Sequence, residues 1–170
     1  MTDPPFRVAL LETTLDRTQF DCGVEPLNDY FQHRVTQDIR RRVTACFVAH
    51  ARDGNIAGYY TLASASLLLR DLPPAVTKKL PRYPTVPVVR MGRLAVDLRY
   101  KGEGLGGALL ADALSRSATS EIATYALIVD AKHESAAAFY QHHGFMALVQ
   151  SEQTQQTLFL PLATTLRLAS

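Results

Sequence analysis

Apolar runs of strand length alternate along the chain with segments whose apolar residues recur at helical spacing. Val43–His50 (VTACFVAH) reads as a strand, and Asp53-Gly54-Asn55 turns the chain into a second, longer one over Ile56–Leu69. A short strand near Phe6–Leu11 comes first. Two helices follow it, one around Glu25–Gln32 with Pro26 at its first turn and one around Val35–Arg42. Asp71–Leu80 holds Pro73 and Pro74 near a possible helix start, and Pro81, Pro84 and Pro87 then enforce extended backbone ahead of a strand over Val88–Val96. Across Leu105–Ser117 the apolar residues Leu105, Ala108, Leu109, Ala113 and Leu114 fall on adjoining faces of a helix. Tyr125–Val129 is a buried-type strand, and Glu134–His142 is helical and stops before Gly144, a natural C-terminal glycine. Phe145–Val149 and Thr157–Pro161 alternate as a final hairpin.

This order of strands and helices predicts a mixed α/β sheet with helices packed on it. No internal repeat, low-complexity tract or linker divides the chain, so residues 1–170 are expected to form one domain, long enough to bury a core. The hydrophobic share of 47% and charged share of 20% are those of an ordinary globular protein. No apolar run approaches the roughly 20 residues of a membrane span, and Met1-Thr-Asp-Pro-Pro does not begin a signal peptide, which points to the cytoplasm. Cys22 and Cys46 lack CxxC or Cys/His spacing, so they read as reduced structural thiols, and no metal site is expected.

The net charge of +2 conceals an asymmetry: residues 1–30 carry −4, residues 31–100 carry +8 and the last seventy carry −2. The basic middle block contains Arg40, Arg41, Arg42, Lys78, Lys79, Arg82, Arg90 and Arg93. Converging on one face, these would suit a polyanion such as RNA; scattered, they are solvated helix and loop charges.

Chemistry concentrates after the Val88–Val96 strand. Tyr100-Lys101-Gly102-Glu103-Gly104-Leu105-Gly106-Gly107 opens the next helix, with four glycines in six residues. Such a loop lets backbone N–H groups converge on a ligand, and the helix N-terminus behind it favours phosphate or pyrophosphate. Gly102, Gly104 and Gly107 also satisfy GxGxxG, with Asp130 placed 23 residues after Gly107 as a dinucleotide-binding unit would have it. Against that, the loop sits mid-chain after a long antiparallel region. A P-loop is excluded because no Gly-Lys-Ser/Thr follows.

A second cluster, Asp130-Ala-Lys-His-Glu-Ser-Ala-Ala-Ala-Phe139-Tyr140-Gln-His-His-Gly144-Phe145, separates these readings. Together the two segments resemble the acyl-CoA-binding motifs of the GNAT N-acetyltransferases. The family's Gln/Arg-x-x-Gly-x-Gly/Ala pattern appears as Lys101-Gly-Glu-Gly104-Leu-Gly106, with Lys101 keeping a cation at the first position. Its second motif, Asn-x-x-Ala-x-x-Phe-Tyr-x-x-x-Gly-Phe, appears as His133-x-x-Ala136-x-x-Phe139-Tyr140-x-x-x-Gly144-Phe145, with His133 in place of Asn.

The resemblance implies a GNAT fold: a central, mostly antiparallel twisted sheet with a splayed strand pair, flanked by helices. It implies acetyl-CoA as cofactor. The pyrophosphate would meet the backbone of Gly102, Glu103, Gly104, Leu105, Gly106 and Gly107. Pantetheine would pair with Leu94, Ala95 and Val96, and Tyr140 would protonate the departing thiolate.

Three further blocks carry the resemblance beyond cofactor binding: Phe20-Asp-Cys-Gly-Val-Glu-Pro-Leu-Asn-Asp-Tyr-Phe31, Gly58-Tyr-Tyr-Thr-Leu62, and Leu80-Pro-Arg-Tyr-Pro84 followed by Gly92-Arg-Leu-Ala-Val-Asp97. They look like the GNAT toxins of bacterial toxin–antitoxin pairs, which acetylate the free amino group of aminoacyl-tRNA and block translation. That implies aminoacyl-tRNA as substrate, a ribbon-helix-helix antitoxin and a homodimer. Arg40, Arg41, Arg42, Lys78, Lys79, Arg82 and Arg93 would grip the tRNA, since phosphate contacts position without reading sequence.

The chemistry agrees. An α-amino group has a pKa of about 8 and needs no strong base, and no convincing base carboxylate stands out. Asp97 and Glu103 lie nearest the loop, Asp97 equally suited to capping it. Main-chain N–H groups on 94–96 would polarise the carbonyl, with Tyr140 as general acid or as a packed helix aromatic. His142 and His143 read as structural or exposed, while Tyr59, Tyr60 and Tyr83 are candidates to stack on bases or line the acceptor cleft, with sheet packing the default for Tyr59 and Tyr60. Other open readings are an acetyltransferase for a small amine or protein N-terminus, and a non-catalytic CoA-binding module.

Overall fold

In the computed structural model, residues 5–149 and 156–164 are described. Seven strands are ordered β1-β2-β3-β4-β5-β7-β6 in the sheet. They are β1 (Phe6–Leu10), β2 (Ala45–Ala51), β3 (Ile56–Leu68), β4 (Thr85–Val96), β5 (Ala126–Ala131), β6 (Met146–Ala147) and β7 (Gln156–Pro161). The helices are α1 (Glu25–Asp29), α2 (Val35–Arg40), α3 (Pro74–Thr77), α4 (Leu105–Ala118) and α5 (Glu134–His142). β4 and β5 run parallel, while β1–β2, β2–β3, β5–β7 and β6–β7 are antiparallel. The mostly antiparallel sheet removes the dinucleotide-binding reading of the glycine loop. So does Asp130, which is engaged by Arg90 and accepts from Thr157 Oγ1 at 2.8 Å.

Two compact units form. The first comprises the chain up to Ala63 with Gly92–Ala113; the second comprises Ser64–Met91 with the chain from Leu114 onward. In the first, Phe20, Phe31 and Tyr59 pack face and edge, with Phe31 and Tyr59 stacked at 4.3 Å, over Val35, Cys46, Val48 and Ala95. In the second, Leu67, Leu72, Val86, Val88, Ala126, Ile128 and Phe159 form the core.

Several expectations shift in detail. The helical pair is joined by a π-helical turn, Tyr30–Arg34, which keeps Tyr30, Phe31 and Val35 all buried. α2 ends at Arg40, so Arg41 and Arg42 lie beyond it. Arg42 takes φ 59°, its N–H bonds to Ile39 O at 3.0 Å, and Val43 N–H bonds to Asp38 O at 3.1 Å. This is a Schellman C-terminus with arginine where glycine is usual, and it delays β2 to Ala45. On α4 the buried apolar set is Leu105, Leu109, Leu110, Ala113 and Leu114; Ala108 is exposed.

Candidate functional site

β4 carries the site. Its ladder with β5 runs from Val88↔Ala126 to Met91↔Val129, and among the described residues no rung lies beyond that point. β4 nevertheless continues to Val96. The backbone of Leu94, Ala95 and Val96 thus has one sheet edge without β5 as partner, the feature expected of a splayed pair.

Asp97 terminates the strand. Its carboxylate is 1% exposed and accepts from Arg99 N (2.9 Å), Arg99 Nε (3.0 Å), Arg99 Nη2 (3.2 Å) and Asp21 N (3.0 Å). Burial alone would raise its pKa, but these bonds outweigh it and hold the carboxyl below the usual range. A carboxylate so saturated is a cap rather than a base, which settles its role. The Phe20–Phe31 motif serves the same joint: Asp21 Oδ1 accepts from Gly23 N (2.8 Å) and Asn28 Nδ2 (2.9 Å), and Asp21 O accepts from Leu98 N (2.9 Å). That motif anchors the strand end, a role its spacing did not disclose.

Lys101–Gly107 follows. Gly102 and Gly104 adopt φ 83° and 78°, the left-handed region, and a Cβ on either would meet nothing within 4 Å. The loop is open on its outer side, and Lys101, Gly102, Glu103 and Gly104 are exposed. α4 begins at Leu105, its first ladder bond joining Ala108 N to Gly104 O at 3.1 Å. First-turn N–H groups of a helix have no partner within it, so those of Leu105, Gly106 and Gly107 suit an anion. These features fit the pyrophosphate of a bound coenzyme A.

In the second unit, His133 is the N-cap of α5, its Nδ1 accepting from Ala136 N at 3.2 Å and bonded to Ser135 Oγ at 2.7 Å. An imidazole nitrogen here does what an asparagine oxygen does at a cap, which accounts for histidine at this motif position. Phe139 meets Tyr140 edge-on at 5.2 Å, and Phe145 N bonds to Tyr140 O at 3.1 Å. Tyr140 is half-buried. Burial, with Asp130 adding negative charge, pushes its hydroxyl up to about 12. No hydrogen bond to that hydroxyl exists among the described residues.

The basic residues fall into separate groups. Arg40, Arg41 and Arg42 are exposed together at the end of α2 in the first unit; Lys78, Lys79 and Arg82 are exposed after α3 in the second. Arg93 is half-buried with its guanidinium 3.3 Å above the Tyr30 ring, and Tyr30 donates to Asp38 Oδ2 at 2.7 Å. Tyr59 and Tyr60 are fully buried, so base stacking is excluded for both: Tyr59 donates to Leu27 O at 2.8 Å, and Tyr60 stacks on Phe47 at 5.1 Å. Tyr83 is 69% exposed. Both cysteines are free and buried, burial pushing Cys46 up to about 12. Among the described residues no cluster suits a metal and no helix is long and apolar enough to cross a membrane.

The acetyltransferase (GNAT) domain family matches residues 17–166. The chain belongs to that family: it is an N-acetyltransferase and uses acetyl-CoA. It is 40% identical over 132 residues to a tRNA-acetylating toxin of Mycobacterium tuberculosis strain H37Rv, covering 76% of this chain and 78% of the relative. Among solved structures, AtaT complexed with acetyl-methionyl-tRNAfMet superposes with TM-score 0.87 at 28% identity, covering 97% of this chain and 99% of that one. A tyrosine-to-phenylalanine mutant of the toxin AtaT, bound to the C-terminus of the antitoxin AtaR, gives TM-score 0.79 at 26% identity over 97% and 98% of the two chains.

Proposed function

We propose that this enzyme is a toxin that acetylates the free α-amino group of aminoacyl-tRNA and thereby blocks translation. The observation that carries the transfer chemistry is the β4–β5 ladder ending at Met91↔Val129 while β4 runs on to Val96. The substrate rests on the relative named for tRNA acetylation, at 40% identity.

Acetyl-CoA supplies the acetyl group as a reactive thioester. Leu94, Ala95 and Val96 offer main-chain groups to pantetheine, as an added strand would take them. Lys101 and the N–H groups of Gly102 through Gly107 hold the pyrophosphate, with Glu103 and Leu105 contributing through their backbone; His133, Ala136 and Phe139 frame the cofactor from α5. Main-chain N–H on 94–96 polarises the carbonyl. The neutral amine forms the new C–N bond as the C–S bond breaks. Tyr140 gives its proton to the departing sulfur, and the proton lost by the amine restores the balance. No side-chain base is required, which agrees with Asp97 being a saturated cap.

Arg40, Arg41, Arg42, Lys78, Lys79, Arg82 and Arg93 bind phosphates of the tRNA. The two units act as one domain over residues 1–170, working as a homodimer in the cytoplasm and neutralised by an antitoxin of ribbon-helix-helix type. Support for an antitoxin partner, though not for its fold type, is the AtaT complex with the C-terminus of the antitoxin AtaR. The test uses labelled acetyl-CoA with charged and deacylated bacterial tRNA, comparing wild type with Tyr140→Phe. Label is expected in charged tRNA alone, falling sharply in the variant. No label in either, with coenzyme A still bound, overturns the substrate reading.

A further inference from the structure

A cleft of about 300 Å³, lined by Pro5, Arg7, His50, Arg52 and Gly54 among others, opens where β1 begins and β2 ends. It lies wholly in the first unit and shares no residue with the glycine loop or with α5. Arg7 and His50 are directly paired across β1 and β2, so their side chains leave the same face of the sheet a few ångströms apart. Two basic groups so placed repel once the imidazole is charged. Burial first, and the Arg7 charge second, depress the His50 pKa, while Glu12 pulls it up.

The neighbouring turn leaves the mouth open. Gly54 has φ 86°, and a Cβ there would meet nothing within 4 Å. Asp53, the acid in this turn, is already engaged, accepting from Asn55 N at 2.9 Å and from Tyr100 Oη at 3.0 and 3.1 Å. Tyr100 also sits edge-on to Phe6 at 5.9 Å, and Lys101 follows it directly. The cleft is therefore tied through one tyrosine to the start of the glycine loop.

We propose that this cleft is a phosphate subsite, in which Arg7, His50 and Arg52 together take one phosphate group. A bound phosphate offsets the cross-strand repulsion that arises when His50 is charged, so it favours the protonated imidazole that burial and Arg7 disfavour. Two sources share this chemistry: the 3′-phosphate of coenzyme A and a backbone phosphate of the nucleic-acid substrate. The identity of the occupant, though not the existence of the site, rests on the function proposed above.

The experiment follows the His50 imidazole by NMR in wild-type protein with inorganic phosphate, coenzyme A, dephospho-coenzyme A and deacylated tRNA. Affinities for the last three are measured for wild type and for Arg7→Gln/Arg52→Gln. The His50 titration is expected to move up on adding inorganic phosphate, and less in the double variant. A loss of about tenfold for coenzyme A but not for dephospho-coenzyme A assigns the site to the cofactor. A loss for tRNA, with a salt slope shallower by about 2, assigns it to the nucleic acid. A His50 titration unmoved by all four probes overturns the proposal. The wild-type titration needs no variant to fold and no acetyl transfer, so failure of the substrate reading would leave it intact.

Discussion

A Cβ added at Gly58 would sit 2.8 Å from the carbonyl oxygen of Ala95 and 2.9 Å from a methyl carbon of Leu109. β3, β4 and α4 close on one another here with no room for a methyl group. Ala95 lies in the strand proposed to bind pantetheine, and α4 carries the glycine loop at its start. Gly58→Ala therefore presses on both cofactor contacts at once. The expected cost is about 1–3 kcal/mol of stability, as for overpacked cores, with a raised KM for acetyl-CoA. Thermal melts and acetyl-CoA titrations check this; a variant with wild-type melting and wild-type KM would refute it.

Tyr140 separates catalysis from packing unusually well. Its hydroxyl bonds to nothing among the described residues, so Tyr140→Phe should change stability by less than about 0.5 kcal/mol. Loss of a general acid should nonetheless lower kcat by about 10²- to 10³-fold. With its hydroxyl pushed up to about 12, Tyr140 stays protonated through the working range. Activity should therefore rise with pH until the acceptor amine is neutral, below about 8, and show no fall from Tyr140 ionisation up to pH 10. A loss of activity centred below pH 10 in the stable enzyme would remove Tyr140 as the donor.

Much of this was legible along the chain, and the exceptions have physical causes. The VTACFVAH run marks β2, but Val43 and Thr44 belong to the turn ending α2, which local apolar patterning cannot separate from a strand. Ala108 matched the helical period yet is exposed, Leu110 being buried instead, because the covered stripe of α4 is set by what packs on it. Tyr59 and Tyr60 point to opposite faces, and both are buried because that stretch of β3 is covered on both sides. The cap formed by Asp97 depends on Asp21, 76 residues away, a distance no local motif spans.

That long-range cap makes its own prediction. Asp97→Ala strips acceptors from Asp21 N and from Arg99, and should cost about 2–4 kcal/mol. Because the folded-state pKa of Asp97 is depressed, its stabilisation is present above the unfolded value, near about 4, and is lost as pH falls through the lower folded value. The stability gap between wild type and variant should thus be constant near neutrality and shrink below about pH 4. Urea titrations at pH 7 and pH 3 measure it; a gap that stays constant or widens in acid would contradict this assignment.

Arg42 tests the nucleic-acid reading from the opposite direction, through a gain in stability. It holds φ 59° at the C-terminus of α2, in a position glycine occupies without steric cost. A non-glycine residue there costs about 1 kcal/mol. Its side chain is exposed beside Arg40 and Arg41, and packing gives no reason for an arginine. The tRNA phosphate contact proposed above would supply one. Arg42→Gly should therefore melt about 2–4 °C higher while binding tRNA more weakly, with a salt slope shallower by about 1. Arg42→Lys should keep most of the tRNA affinity without the stability gain, because the cation survives and the strained backbone does too. A glycine variant that is more stable yet binds tRNA as well as wild type would remove Arg42 from the tRNA surface. One that is less stable would show that the turn depends on the arginine itself.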